Sequence, residues 1–184
     1  MEKNRVCPWQ HASLLTIFFR KLLQNPGRIL APHLKDGMTA ADIGCGIGYF
    51  SIPMKDLVGD KGTVIAVDLQ PQMLDGLKHR AAESGTPDIV LHQCSTDSLE
   101  LDKWEGKVDF ALVFWMLHEV PDKQRFIREA HSVLSENGAL LFAEPKGHVS
   151  EKEFAKSLEM MTSTGFKTTE TPKITLSRAA LLAK

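Results

Sequence analysis

Three glycines at alternate positions, Gly44, Gly46 and Gly48, follow a short apolar run at residues 38–43. With no β-carbons along such a turn, the backbone can bend sharply and lie against a ligand at the start of the next helix. A dinucleotide-binding turn has its third glycine three residues after the second. That position is Tyr49 here, and the glycine comes one residue earlier. The turn therefore indicates a nucleotide-type site that is not the dinucleotide kind.

Two acidic residues flank this turn and narrow the choice of ligand. Asp42 lies two positions before Gly44, where a carboxylate repels a pyrophosphate and attracts an ammonium group. Asp68 ends the next predicted strand, and a carboxylate there can accept hydrogen bonds from both hydroxyls of a ribose. Alternatively, Asp68 caps the helix predicted from Pro71. Taken together, the turn and the acids predict a nucleoside cofactor with a cationic tail.

Two further candidates for chemistry, His118 and Glu144, follow later predicted strands. His118 can titrate near neutral pH and act as a base, or it can orient the turn at residues 121–122 through a backbone hydrogen bond. Glu144 can act as a base or bind a substrate cation, or it can lie in a surface loop paired with Lys146. Together with His148 these residues lack the short spacing of metal ligands, so no metal is predicted.

Predicted strands and helices alternate from residue 38 onward, an order typical of an α/β sheet that is mostly parallel, with helices on both faces. The predicted strands are 38–43, 63–67, 88–92, 108–114 and 139–143, with helices at 49–57, 71–84 and 122–134 and a turn at 136–138. A helix capped by Ser150 and Glu153 is predicted to about residue 161, followed by two antiparallel strands, 165–170 and 173–180. Ligands of such sheets bind beyond the carboxyl ends of the strands, where the strand order reverses.

The N-terminal part is predicted to be helical, with an amphipathic helix at 11–23 and a short helix from Pro26 to about residue 33. Because no segment follows the last predicted strand, a lid over the cofactor is expected from the N-terminal part or from a partner subunit. We therefore divide the chain into a lid segment, residues 1–34, and one domain, residues 35–184. A homodimer is compatible with this arrangement.

Composition excludes several classes of function. The 184 residues carry a net charge of −1, from 22 basic and 23 acidic residues, so a broad nucleic-acid-binding surface is not expected. No apolar stretch is long enough to span a bilayer, and no signal-peptide pattern is present at the N-terminus. Cys7, Cys45 and Cys94 form no CxxC pair, which argues against disulfides and structural zinc and for a reducing compartment. We expect a cytoplasmic protein with no membrane association.

These motifs resemble those of the class I S-adenosylmethionine-dependent methyltransferases, from residue 38 to the end of the chain. The matching segments are 42–48, 67–69 and 108–113, together with the closing antiparallel strands. The resemblance implies a Rossmann-like, seven-stranded sheet and S-adenosylmethionine as cofactor. It implies that the turn, including Cys45, passes under the methionine part, that Asp42 lies near its amino group, and that Asp68 and the adjacent Leu69 bind the ribose side.

The adenine-binding position departs from the family pattern. Where many members have Gly-Asp-Ala, this chain has Cys94, Ser95 and Thr96. Ser95 can still bond the adenine edge, as can the backbone N–H of either Cys94 or Ser95. The alternative for Cys94 is a small buried apolar residue.

The segment after the fourth predicted strand, residues 114–122, resembles the small-molecule branch of the family, which includes quinone-biosynthesis and arsenite methyltransferases. It lacks the Asn/Asp-Pro-Pro-Tyr signature, and the scattered cysteines do not resemble an arsenite-binding set. Trp9, Tyr49 or Trp115 could face the sulfonium by cation–π attraction, although Trp9 could simply pack on the sheet.

We therefore expect methyl transfer to a small molecule by direct in-line displacement. A non-catalytic S-adenosylmethionine-binding module remains an alternative, because no catalytic base is obvious in the sequence. A nicotinamide-dependent oxidoreductase is disfavoured by the glycine spacing and by Asp42.

Overall fold

The computed structural model describes residues 24–184, in which seven strands form one sheet. The strands are β1 (Thr39–Ile43), β2 (Thr63–Asp68), β3 (Val90–Gln93), β4 (Val108–Phe114), β5 (Leu134–Pro145), β6 (Lys167–Glu170) and β7 (Ser177–Ala183). Their order across the sheet is β3-β2-β1-β4-β5-β7-β6. β1 to β5 pair in parallel, and β7 pairs antiparallel with both β5 and β6. The predicted fold class is confirmed.

Five helices accompany the sheet within the described residues: α1 (Pro26–Leu30), α2 (Ser51–Val58), α3 (Pro71–Glu83), α4 (Lys123–Val133) and α5 (Glu151–Thr164). Successive side chains of a strand point to opposite faces, so each central strand contributes to two separate cores. Along β4, Phe110 and Leu112 pack with α1, α2 and α3, whereas Ala111 and Val113 pack with α4 and α5. Helices therefore cover both faces of the sheet, as predicted.

Local capping signals set the starts of several helices. The Ser150 side chain accepts a hydrogen bond from the Glu153 N–H, and the Glu153 carboxylate accepts one from the Ser150 N–H, which completes the predicted capping box. Asp122 caps α4 by accepting from the Arg125 N–H at 2.9 Å. Asn25 caps α1, with Pro26 in its first turn. The helix starts therefore follow from sequence-local chemistry.

The predicted turn at residues 136–138 is wrong. These residues lie inside β5, which begins at Leu134, directly after α4. The register between β4 and β5 shifts there: Val108 pairs with Leu134 and Phe110 with Ala139. The additional residues of β5 therefore form a bulge-like irregularity within the strand and not a separate turn. At Gly138 a β-carbon would lie 2.8 Å from the Val108 carbonyl oxygen, which explains why a glycine stands at this close approach.

The two closing strands are also displaced from their predicted bounds. β7 begins at Ser177 rather than at residue 173, and residues 171–176 form the connecting loop. Leu176, at the end of this loop, has a left-handed φ of 61° and is 55% exposed. The loop returns the chain to the carboxyl end of β5, because Ser177 pairs with Pro145.

The carboxyl ends of β1, β2, β4 and β5 lie along one edge of the sheet, which we call the functional edge. The strand order reverses between β1 and β4, which are direct neighbours. The glycine turn follows β1 and Trp115 follows β4, so both lie at this switch point. The predicted helix at 11–23 and Trp9 lie outside the described residues, and the lid assignment for residues 1–34 stays a prediction.

Within residues 24–184, no helix has the length and apolar character that a bilayer crossing requires.

Replacing Ser150 by alanine should lower the free energy of unfolding by about 1 kcal/mol, because the capping hydrogen bonds of α5 are lost. The measurement is urea-induced unfolding followed by circular dichroism. Ser163→Ala is the matched control, since the Ser163 hydroxyl donates to the Met160 carbonyl at the other end of the same helix. Equal losses in the two variants would contradict the capping role.

Candidate functional site

The glycine turn is held by hydrogen bonds from its own backbone. The N–H groups of Gly44 and Cys45 both donate to the Val67 carbonyl, at 2.8 and 3.0 Å, and the N–H of Gly46 donates to the Asp68 carboxylate at 2.8 Å. These donors are used inside the protein. They are therefore not presented to a pyrophosphate, which is what a dinucleotide turn does with its N–H groups.

The surroundings of the glycines show which part of the turn faces a ligand. A β-carbon on Gly44 would come within 2.8 Å of Met116 Cγ, and one on Gly48 would overlap the Leu77 side chain. Gly46 has a left-handed φ of 52°, and a β-carbon there would meet nothing within 4 Å. The turn is thus packed against the protein at Gly44 and Gly48 and open at Gly46, which fits a ligand lying across its middle.

Two carboxylates, Asp42 and Asp68, make the electrostatic potential at this turn negative. Asp42, at 2% exposure, accepts a hydrogen bond of 2.5 Å from the Ser51 hydroxyl. Burial raises the pKa of the Cys45 thiol well above its usual range, and the charges of Asp42 and Asp68 raise it further. The negative potential that disfavours a thiolate also disfavours a bound phosphate, and it favours a cationic ligand. Ser51 was not identified from the sequence; its only signal is a hydroxyl at the first position of α2.

Asp68 connects the turn to the next strand. Its Oδ2 accepts from Gly46 and its Oδ1 accepts from the Gln70 N–H at 2.9 Å. Burial raises the pKa of this carboxyl, and backbone N–H groups, including that of Leu69, lower it in part. Gln70 is the N-cap residue of α3, and no side chain caps this helix, so the capping alternative for Asp68 is wrong. Each oxygen of a carboxylate has two lone pairs, so Asp68 has acceptor capacity left for ribose hydroxyls.

The segment after β3 forms a closed turn. The Cys94 N–H donates to the Asp68 carbonyl and the Ser95 N–H to the Ser98 carbonyl, at 3.1 and 3.0 Å. The Ser95 hydroxyl also bonds the backbone of Ser98. Burial and the Asp68 charge raise the pKa of Cys94 to about 11, so its thiol is neutral. Both backbone donors are occupied, and adenine binding by Cys94 and Ser95 stays a prediction that now rests on the exposed Ser95 hydroxyl.

The structure brings His118 and Glu144 together. Glu144, near the end of β5, is 2% exposed, and its two oxygens accept from the His118 backbone N–H at 2.9 Å and bond His118 Nδ1 at 2.7 Å. Glu144 is therefore buried and bound to His118, not a surface residue paired with Lys146. The hydrogen bond to Glu144 raises the pKa of His118, against an opposing effect of burial.

The bond to Glu144 also fixes the orientation of the His118 ring. With the proton on Nδ1 facing the carboxylate, the Nε2 lone pair points away from Glu144. Nε2 lies 3.9 Å from Glu119 Oε1, the side chain is 23% exposed, and the His148 ring lies edge-on at 5.9 Å. The structure thus pairs the His118 imidazole with a buried carboxylate at the functional edge, three residues after Trp115.

Trp115 is held at both its backbone and its side chain. It has a left-handed φ of 61°, and its N–H donates to the Ala143 carbonyl at 2.8 Å. Its indole Nε1 donates to the Ser177 hydroxyl at 2.9 Å. Ser177 was not identified from the sequence, because its partner lies 62 residues away along the chain. The half-buried Trp115 directly precedes Met116, which packs on Gly44.

Among the residues the structure describes, no group of three or more His, Cys, Asp or Glu side chains is arranged to hold a metal ion. Cys45 and Cys94 are both free thiols.

Comparison with known proteins gives a consistent result. A family model described as a methyltransferase domain matches residues 34–176. The demethylmenaquinone methyltransferase of Oceanobacillus iheyensis is 29% identical over 115 residues, which cover 61% of this chain and 46% of that protein. The arsenite methyltransferase of Aquipseudomonas alcaligenes is 29% identical over 121 residues, which cover 63% of this chain and 35% of that protein. The chain thus matches less than half the length of these curated relatives.

Among solved structures, a SAM-dependent methyltransferase from Aquifex aeolicus superimposes with a TM-score of 0.78 at 21% identity. The superposition covers 92% of this chain and 96% of that protein. At this identity the similarity establishes the fold.

Gly46→Ala should weaken the binding of S-adenosylmethionine, because the added methyl group occupies the open space above the turn. Gly85→Ala is the matched control: Gly85 also has a left-handed φ and open surroundings, but it follows α3 away from the functional edge. Both variants should lose about 1–2 kcal/mol of unfolding free energy from backbone strain. Isothermal titration should show a raised Kd for Gly46→Ala alone, and equal Kd values would place the ligand elsewhere.

Proposed function

This chain belongs to the class I S-adenosylmethionine-dependent methyltransferases, and from that membership we propose that it transfers a methyl group to a small-molecule acceptor by direct in-line displacement. The observation that carries the proposal is the His118–Glu144 pair at the functional edge, two residues after Met116, which packs on Gly44 of the turn. The pair is our candidate for the base that the sequence alone did not make evident. It favours a catalytic enzyme over a non-catalytic binding module.

The cofactor-binding residues fit S-adenosylmethionine, which when bound supplies a methyl group on a positively charged sulfur. Gly46 leaves room across the turn, Asp68 has acceptor capacity for the ribose, and Asp42 adds negative charge near the turn. The same field opposes a nicotinamide dinucleotide, whose pyrophosphate is anionic. The family membership and this field together argue against the oxidoreductase alternative.

His118 would take the proton that the acceptor atom must lose. Glu144 holds Nδ1, so Nε2 is the atom that accepts this proton, and the buried carboxylate stabilises the resulting imidazolium. Such a pair is useful only for an acceptor with an ionisable hydrogen, such as a phenolic hydroxyl. We therefore propose a small hydroxylated acceptor, a class to which a hydroquinone belongs.

The names of two relatives, a demethylmenaquinone and an arsenite methyltransferase, support a small molecule rather than a macromolecule as acceptor. The near-neutral composition agrees with this proposal, because a net charge of −1 does not favour nucleic-acid binding. A cytoplasmic location and a homodimer remain part of the proposal.

The direct test has two stages. Calorimetric titration should show binding of S-adenosylmethionine and none of reduced nicotinamide dinucleotide. Formation of S-adenosylhomocysteine should then be measured with a soluble naphthohydroquinone, a simple phenol, an amine, a thiol and arsenite. Turnover with the hydroxylated compounds supports the proposal. Binding without turnover on any acceptor would favour the non-catalytic module.

Asp68→Ala should weaken S-adenosylmethionine binding by about 1.5–3 kcal/mol, the range for a hydrogen bond to a charged group. Titration calorimetry measures the change. Asp75→Ala, on the exposed side of α3, should leave the Kd unchanged. An unaltered Kd in Asp68→Ala would remove this carboxylate from the cofactor site.

Glu144→Gln should move the acidic limb of the kcat/KM profile to lower pH. In the native protein Glu144 raises the pKa of His118, so the neutral base is available only above that raised pKa. Without the carboxylate the pKa falls and the neutral base persists at lower pH, although kcat drops because the ring is less well oriented. Glu119→Gln is the control: Glu119 is farther away and also raises this pKa, so the limb should move less in the same direction.

His118→Asn should lower kcat about 10²–10⁴-fold, the usual contribution of a general base, with little change in cofactor Kd. A variant with native kcat would show that His118 is not the base.

A further inference from the structure

We propose that Ser177 is a positioning residue for Trp115: it holds the indole beside the cofactor turn through a buried hydrogen-bond network that also includes Gln24. The proposal rests on the proposed function, in that the position of Trp115 matters because a bound cofactor would lie against it. Ser177 is the first residue of β7 and lies far in sequence from the glycine turn. No motif in the sequence marks it.

The hydrogen-bonding capacity of the Ser177 hydroxyl is fully used. Its oxygen accepts from Trp115 Nε1 at 2.9 Å and from Gln24 Nε2 at 3.2 Å, and its proton is directed to the Thr175 carbonyl at 3.4 Å. A hydroxyl offers one donor and two acceptor sites, so each has a partner. Ser177 is 4% exposed and Gln24 is 2% exposed, so water does not replace a lost bond at either residue without cost.

The hydrogen-bond network extends to Tyr49, just before the start of α2. Gln24 Nε2 also donates to the Thr175 carbonyl at 2.7 Å, and the Tyr49 hydroxyl donates to the Gln24 carbonyl at 2.7 Å. Tyr49 directly follows the glycine turn. Ser177 thus joins Trp115, after β4, to Gln24 and, through Gln24, to Tyr49, so the hydrogen bonds connect both sides of the switch point.

Backbone strain is concentrated at the same place. Trp115 and Leu176 both have a left-handed φ of 61°, which costs a residue with a β-carbon about 1–2 kcal/mol. Leu176 precedes Ser177, and its carbonyl accepts from the Lys146 N–H at 2.9 Å. Strained residues persist where the surrounding structure fixes them, and they cluster at ligand sites. Ser177 is a side-chain partner of the Trp115 indole at this place.

The consequence of this positioning is chemical. An aromatic face attracts a cation within about 6 Å of its centre, and indole does so most strongly. The ring must be held to be effective, because a freely rotating side chain gives up part of that energy on ordering. Trp115 packs on Phe114 at 5.5 Å, and the hydrogen bond to Ser177 restricts rotation of the indole.

The test is a double-mutant cycle with Ser177→Ala and Trp115→Phe, in which the Kd of S-adenosylmethionine is measured by calorimetry. Ser177→Ala should raise the Kd about tenfold, the equivalent of one lost hydrogen bond. In the Trp115→Phe background, which has no indole N–H, the same change should alter the Kd less than twofold. Ser177→Thr, which keeps the hydroxyl, should restore binding. Ser157→Ala, a buried serine on α5 that bonds the Glu153 carbonyl, should leave the Kd unchanged.

A second readout does not depend on the cofactor. Without ligand, the Trp115 fluorescence, obtained by subtracting the Trp115→Phe spectrum, should shift to longer wavelength in Ser177→Ala, because the freed indole meets more water. If Ser177→Ala fails to fold, Ser177→Cys replaces it, since a thiol has similar volume and is a weak acceptor.

The outcomes are distinguishable. A native Kd and an unshifted spectrum in Ser177→Ala would overturn the inference, and so would an equal effect of Ser177→Ala in both backgrounds. If the native protein does not bind S-adenosylmethionine at all, the proposed function fails. The fluorescence shift then still decides whether Ser177 holds Trp115.

Discussion

The parallel pairing of β1 with β4 is the constraint on which the site depends. β2 and β3 continue the sheet on one side of this pair, whereas β5 and β7 continue it on the other. The connections that follow β1 and β4 therefore leave in different directions, and a crevice opens between them at the functional edge. The glycine turn and Trp115 lie on its two sides, and Met116 packs against Gly44 between them. Without this pairing the two segments would not lie close enough together to contact the same ligand.

Buried polar groups are concentrated at that crevice. Asp42, Glu144 and Ser177 are each no more than 4% exposed, and each has a hydrogen-bond partner on another element. A buried polar group costs free energy unless it is paired, and a paired one holds its partner in a single geometry. The sheet interior away from the edge is apolar, as in the Phe142–Phe154 stack at 5.0 Å. The polar groups thus fix the site, while the apolar cores on both faces supply the stability of the fold.

Elements whose signals are local were predicted well. The capping box at Ser150 and the strand at Val108–Phe114 occur as the sequence indicates, because a cap or a buried strand is encoded within a few residues. The turn at residues 136–138 was wrong for the converse reason. Gly138 and its neighbours have a local preference for a turn, but pairing with β4 keeps these residues in β5. Long-range pairing overrides a weak local preference.

The sequence by itself determined the sheet type and the glycine turn with its flanking acids Asp42 and Asp68, because these follow from hydrophobic periodicity and from spacing along a short stretch. It named His118 and Glu144 as separate candidates. Only the tertiary structure decided that they form a pair, that Ser51 bonds Asp42, and that Ser177 bonds both the Trp115 indole and Gln24. The partners in the His118 and Trp115 bonds lie 26 and 62 residues apart along the chain. Their contact is set by the order of strands in the sheet, which local sequence patterns do not encode.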